Sequence, residues 1–165
     1  MQTTRPDTTG GIAVLATAAY AGVMIAIGLG LGRYWLDLPP QEFAAWFEAN
    51  FIFLLPTVAV TSVPALAAAV IAARRTDDAA GRRDWYIALG LIGVTFAVTL
   101  AYHLPANLRI WDLTMTDDEL RTELTRWLAL HAVRVVGALA AAWYALRATI
   151  AHTAMGSRVT PALRG

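Results

Sequence analysis

Residues Phe51 to Ala73 read FIFLLPTVAVTSVPALAAAVIAA, a run without a single charged side chain that ends on Arg74 and Arg75. About 20 apolar residues cover roughly 30 Å of hydrocarbon as a helix, so this run is long enough to cross a bilayer. A soluble domain cannot bury such a segment on all sides in a chain of 165 residues unless most of its neighbours are equally apolar. Here they are. Apolar runs also occupy Ile12 to Leu31, Trp85 to Leu104 and Trp127 to Ile150, which predicts four membrane spans at 12–31, 51–73, 85–104 and 127–150. The composition agrees, with 58% hydrophobic residues, 15% charged residues and a mean hydropathy of +0.52. The fold class this implies is all-α, an integral membrane antiparallel four-helix bundle. It forms one domain over 12–151, flanked by tails at 1–11 and 152–165.

Orientation follows from arginine, since the chain has no lysine. Arg5, Arg74, Arg75, Arg82, Arg83, Arg147, Arg158 and Arg164 fall on the side of the termini and the 74–84 loop, against Asp7, Asp77, Asp78 and Asp84. Arg33, Arg109, Arg121 and Arg126 fall on the other side, among eight acids. The excess of cationic residues marks the cytoplasmic side. The expected location is the cell inner membrane, multi-pass, with both termini cytoplasmic. The first span reads as retained rather than as a cleaved signal peptide, because its flank is weakly charged and its apolar run is long. Trp35, Trp46, Trp85, Trp111 and Trp127 lie near span ends, where indoles suit the headgroups. Small residues that let helices approach recur at Ala18, Gly22, Ala26 and Gly30, at Gly93, Ala97 and Ala101, and at Gly137, Ala141 and Ala145. The run Gly28 to Gly32 has neither the spacing nor the preceding strand of a nucleotide loop and reads as packing. The fourth helix is expected to start before the membrane, on a Thr116–Glu119 capping box.

Several function classes drop out. A net charge of +1 does not point to nucleic acid. With no cysteine there is no disulfide, thiolate metal site or cysteine nucleophile. The informative residues are the polar ones within the apolar runs, because they are costly there. Glu123, Trp127, His131 and Arg134 follow one another at helical offsets of four, four and three, on one face of the fourth span. Arg134 lies roughly 10 Å deeper than Trp127 at 1.5 Å per residue. His103 and Asn107, around Pro105, end the third span, and Glu48 and Asn50 begin the second. Together they predict a polar pocket in the outer half of the bundle. Each also has a structural reading: Arg134 bridging helices, His131 as an interhelical hydrogen-bonder, Asn107 as a cap.

The Pro105-x-Asn107 motif after the third span and Trp127-x-x-x-His131-x-x-Arg134 opening the fourth resemble the anthrone oxygenase-like (DUF1772) family of small four-span membrane proteins. The resemblance is specific over about 103–145 and topological elsewhere. It implies an oxygenase, with dioxygen as co-substrate, acting on an anthrone or another hydrophobic aromatic molecule. An anthrone carbanion reacts with dioxygen without a metal, so no cofactor and no metal site are implied. His131 then serves as base, Arg134 and Asn107 as oxyanion partners, and Trp127, His103 and Asn50 as substrate-binding residues. Two alternatives stand beside it. One is a haem or quinone redox protein with His103 and His131 as axial ligands. The other is a non-catalytic protein that binds lipid or a partner. The bilayer is the one partner common to all three, and a homo-oligomer is compatible with each.

Overall fold

The computed structural model describes residues 8–159, with side chains described through residue 151. The parts of the expected tails at 1–7 and 160–165 lie outside the described residues. Four helices account for nearly all of the rest: α1 (Thr8–Asp37), α2 (Pro40–Arg75), α3 (Ala79–Trp111) and α4 (Asp117–Val159). All four are long and apolar enough to cross a membrane. At most a third of each helix's most apolar 18-residue window is buried against protein. Ile52, Phe53, Val60, Leu100, Val136 and Trp143 all point outward. Apolar surface on this scale needs lipid to cover it. The chain is therefore a multi-pass membrane protein with a four-helix bundle.

The helices are antiparallel to their neighbours and pack in a ring, α1 against α2 and α4, α3 against α2 and α4. Each exceeds its expected span, because polar and aromatic residues that were read as loop continue the helical ladder. α1 runs through Arg33 and Trp35 to Asp37, and only Leu38 and Pro39 separate it from α2. α2 starts at Pro40, where a proline's missing N–H costs nothing in the first turn. Pro56 and Pro64 sit inside α2 and face outward. Thr57 and Thr61 bond to the carbonyls of Phe53 and of Thr57 and Val58, not to those of Ile52 and Val60, which the prolines leave without their i+4 donors. α4 begins as expected: Thr116 N donates to Glu119 Oε2 at 2.8 Å, and Glu119 N donates back to Thr116 Oγ1 at 3.5 Å. At its other end the helix continues to Val159, so residues 152–159 extend α4 where a tail was expected.

Two of the three small-residue stripes face lipid. Ala18, Gly22, Ala26 and Gly30 are exposed, as are Gly93, Ala97 and Ala101, and a Cβ on Gly22, Gly30 or Gly93 would meet nothing. The inward face of α1 is instead Ala13, Thr17, Tyr20, Met24 and Ile27, and that of α3 is Ala88, Ile92, Thr95 and His103. Thr17, Tyr20, Thr95 and His103 carry polar atoms that lipid cannot satisfy, so they claim the interior and turn the small residues outward. The α4 stripe is placed as read, with Gly137, Ala141 and Ala145 buried. The tryptophans also depart from expectation. Trp35, Trp85 and Trp127 are core residues, Trp46 is half-buried and Trp111 is exposed. Trp35 sits at the centre of an aromatic cluster, within 5.9 Å (ring centroid to centroid) of Phe43, Trp46, Phe47 and Trp127. This cluster closes the end of the bundle opposite the chain termini.

Candidate active site

Two of the four helices contain a π turn, and both turns lie beside the predicted pocket. In α1 it spans Ala26–Leu31, and in α3 Thr99–His103. The glycines at 28 and 30 tolerate the wider turn in α1. In α3, Pro105 has no N–H and its ring crowds the carbonyl four residues back, which a wider turn relieves. Each turn shifts the register of the inward face. On α1 the inward positions step by five from Ile27 to Gly32, which brings Trp35 into the core.

The α1 turn receives His131. Its Nε2 lies 2.8 Å from the Met24 carbonyl oxygen, which can only accept, so Nε2 carries the proton. Nδ1 is then the lone-pair nitrogen, and Arg134 Nη1 donates to it at 3.3 Å. Gly28 makes the approach feasible, since a Cβ there would lie 3.1 Å from His131 Cδ2. Trp127 stacks on the other face of the imidazole, with centroids 4.9 Å apart and planes 13° apart. A methyl group at position 28 would therefore press on a ring already packed against Trp127. Gly28→Ala is expected to cost about 1 kcal/mol of stability through this overpacking. Gly30→Ala, opening onto lipid, should be neutral or stabilising by up to about 1 kcal/mol through helix propensity. Thermal melts of the two variants in one detergent measure the difference.

Arg134 is 4% exposed and its recorded partners are all neutral. Nη2 points at Met24 Sδ at 3.4 Å, the Tyr20 hydroxyl is a further neighbour, and Nε is buried without a partner. Tyr20 in turn bonds Thr95 Oγ1 at 2.8 Å. Arg134 reaches across to α1 rather than to Asn107 or to carbonyls near the prolines. Asn107 Oδ1 instead accepts from Trp127 Nε1 at 2.8 Å, which fixes the indole across the cavity. His103 is 1% exposed. Its Nδ1 lies 3.4 Å from the Val98 carbonyl, which places a proton on that nitrogen. Nε2 is buried without a hydrogen-bond partner, and the Trp127 main chain lies close to the ring. The two imidazoles are 6.0 Å apart, and Trp127 lies within 4.9 Å of each.

His103, Asn107, Trp127, His131 and Arg134 therefore line one cavity of about 70 Å3, walled by Ile27, Phe47, Phe51, Leu54, Leu55, Val58 and Thr99. Leu55 is lipid-exposed, so the mouth opens sideways into the bilayer between α2 and α3. Asn50 is not part of it: its Nδ2 bonds the Trp46 carbonyl of its own helix at 2.7 Å, and Glu48 faces outward. Glu123 lies above the cavity, accepting from Tyr102 Oη at 2.6 Å and paired with Arg109 at 2.9 Å. Phe47, Phe51, Met24 and Tyr20 at the site were not legible in the sequence, because an aromatic or methionine inside an apolar run carries no polar signal.

A haem does not fit between the histidines. Trp127 occupies the space a macrocycle needs, and the imidazole nitrogens of His131 are both engaged. Among the described residues no group of three or more His, Asp or Glu side chains forms a metal-ligand set.

The fold and cavity define a four-helix membrane protein with a histidine–arginine site reached from lipid. The family model described as anthrone oxygenase matches residues 43–144, and the chain belongs to that family. The match takes in α2, α3 and most of α4, and with them every polar residue of the cavity. No curated protein and no solved structure matches the chain.

Proposed function

We propose that the chain is a membrane-embedded oxygenase that oxidises an anthrone-like or related flat carbon acid with dioxygen, without a metal or organic cofactor. The observation that carries this reading is that a buried cation and an imidazole with one unengaged nitrogen belong to residues lining one apolar cavity, within the segment that matches the family. A base removes a proton from the activated methylene, and the negative charge moves onto the ring oxygen. Arg134, in a water-poor site, stabilises that oxyanion. The carbanion gives its electrons to dioxygen and a carbon–oxygen bond forms. Loss of the second methylene proton with cleavage of the O–O bond leaves a carbonyl. One atom of dioxygen ends in that carbonyl and the other in water, so no external reductant is needed.

We assign the roles differently from the sequence reading, on the hydrogen bonds each side chain makes. His131, named there as base, has Nδ1 engaged by Arg134 and Nε2 by Met24, and acts here by orienting the guanidinium. His103 Nε2 holds the free lone pair and takes the proton. Trp127, held by Asn107, forms a wall against which a flat ring stacks. The test is quinone formation from anthrone by purified protein in aerated detergent, followed by absorbance. Product should form at the same rate after treatment with a metal chelator. If neither anthrone nor a related carbon acid yields product above the buffer rate, the oxygenase reading fails.

The orientation belongs to the same reading. We place both termini in the cytoplasm of a cell with an inner membrane, which sets the cavity in the outer half of the bilayer. The chain has no native cysteine, so Ala79→Cys should be shielded from an impermeant thiol reagent in intact cells and Met115→Cys labelled. The opposite pattern reverses the orientation.

A further inference from the structure

We propose that the cavity binds its ligand as an organic anion, with the ionised oxygen on Arg134 and a flat apolar body against Trp127. This rests on reading the cavity as a ligand site but not on the oxidation step. The reason is charge. Arginine remains protonated in proteins, so a buried guanidinium retains its positive charge. The two buried carboxylates among the described residues have partners elsewhere: Asp84 is paired with Arg147 at 3.3 Å toward the terminal end, and Glu123 with Arg109 and Tyr102 above the cavity. No carboxylate contributes to the electrostatics of Arg134, whose neighbours are an imidazole, a thioether and a phenol. A charge so placed is stable only with a counter-charge or good hydrogen-bond compensation. Its Nε remains without an acceptor.

The remaining lining sets the ligand's body. Phe47, Phe51, Leu54, Leu55, Val58 and Trp127 offer apolar and aromatic surface, and the mouth faces lipid. A small hydrated anion has no route through that mouth. A lipophilic weak acid dissolves in the bilayer as its neutral form, enters, and loses its proton where the guanidinium favours the anion. Phenols, enolisable ketones and aromatic carboxylic acids all meet this description.

Calorimetric titration of the purified protein with 2-naphthoate and with 2-naphthamide tests it, because the two share a body and differ in charge. Neither is a substrate for oxidation, so a failed oxygenase assay leaves this result intact. Naphthoate is expected to bind at least tenfold more tightly than the amide. Arg134→Gln should abolish that preference, while Arg134→Lys and Arg33→Gln keep it. If Arg134→Gln does not elute as a folded species, the wild-type preference and its retention in Arg134→Lys decide. Equal affinity for the two probes in wild-type protein overturns the proposal. So does a preference that survives in folded Arg134→Gln protein. A third outcome, in which sodium chloride binds at the site and naphthoate does not displace it, assigns Arg134 to an inorganic anion and also overturns it.

Discussion

Arg134→Met protein should melt at or above the temperature of the wild type and yet lose about a hundredfold or more in quinone formation. The two halves come from one fact. Arg134 is a buried cation among neutral groups, and its Nε has no acceptor. Replacing a poorly compensated buried charge by an apolar side chain of similar length is often neutral or stabilising by about 1–4 kcal/mol. Methionine also suits the irregular space beside Met24. The loss of turnover follows from the other role. Removing one preorganised donor to a developing oxyanion typically costs about 10²–10³ in rate. A purely structural arginine would give the reverse: a lower melting temperature, with activity falling only as the protein unfolds. Melting curves and initial rates on the same preparation separate the two. Arg33→Met is the control, since Arg33 is exposed and paired only with Asp37 at 3.2 Å.

His103→Ala should lower turnover by about 10²–10⁴, the usual contribution of a positioned base. His131→Ala should lower it less. The difference lies in which nitrogen is free. His103 Nε2 has no hydrogen-bond partner, whereas His131 is held by Met24 on one side and Arg134 on the other. Removing His131 releases the guanidinium and unsupports Trp127, which misplaces the oxyanion partner without deleting the base. A base supplied from solution separates the two further. Imidazole should partly restore His103→Ala, whose cavity has the space and lacks only a lone pair. It should not restore His131→Ala, where the defect is one of position. If His131→Ala falls further than His103→Ala and is the one that imidazole rescues, the base is His131.

Sequence alone determined the solvent and the helix number. Four apolar runs of bilayer length admit one architecture, because lipid requires every backbone group to bond within its own helix or a closed barrel. The offsets linking Trp127, His131 and Arg134 put them on one face, and α-helical geometry kept them there. Pro105-x-Asn107 and Trp127-x-x-x-His131-x-x-Arg134 also carried the family, which the match over 43–144 shows. What tertiary structure decided was which face of each helix turned inward and where each polar atom ended. Small-residue spacing on α1 and α3 is equally compatible with lipid or protein, and the cost of Thr17, Tyr20, Thr95 and His103 in lipid settled the choice. The π turns are a second such decision. No 3.6-residue period announces the extra step between Ile27 and Gly32, yet that step sets Trp35 in the core, and at the leading edge of the turn the Met24 carbonyl meets His131. The different surroundings of the two histidines are a third. The same side chain stands in two settings because α1 offers His131 a carbonyl across the bundle, while His103 Nε2 makes no hydrogen bond.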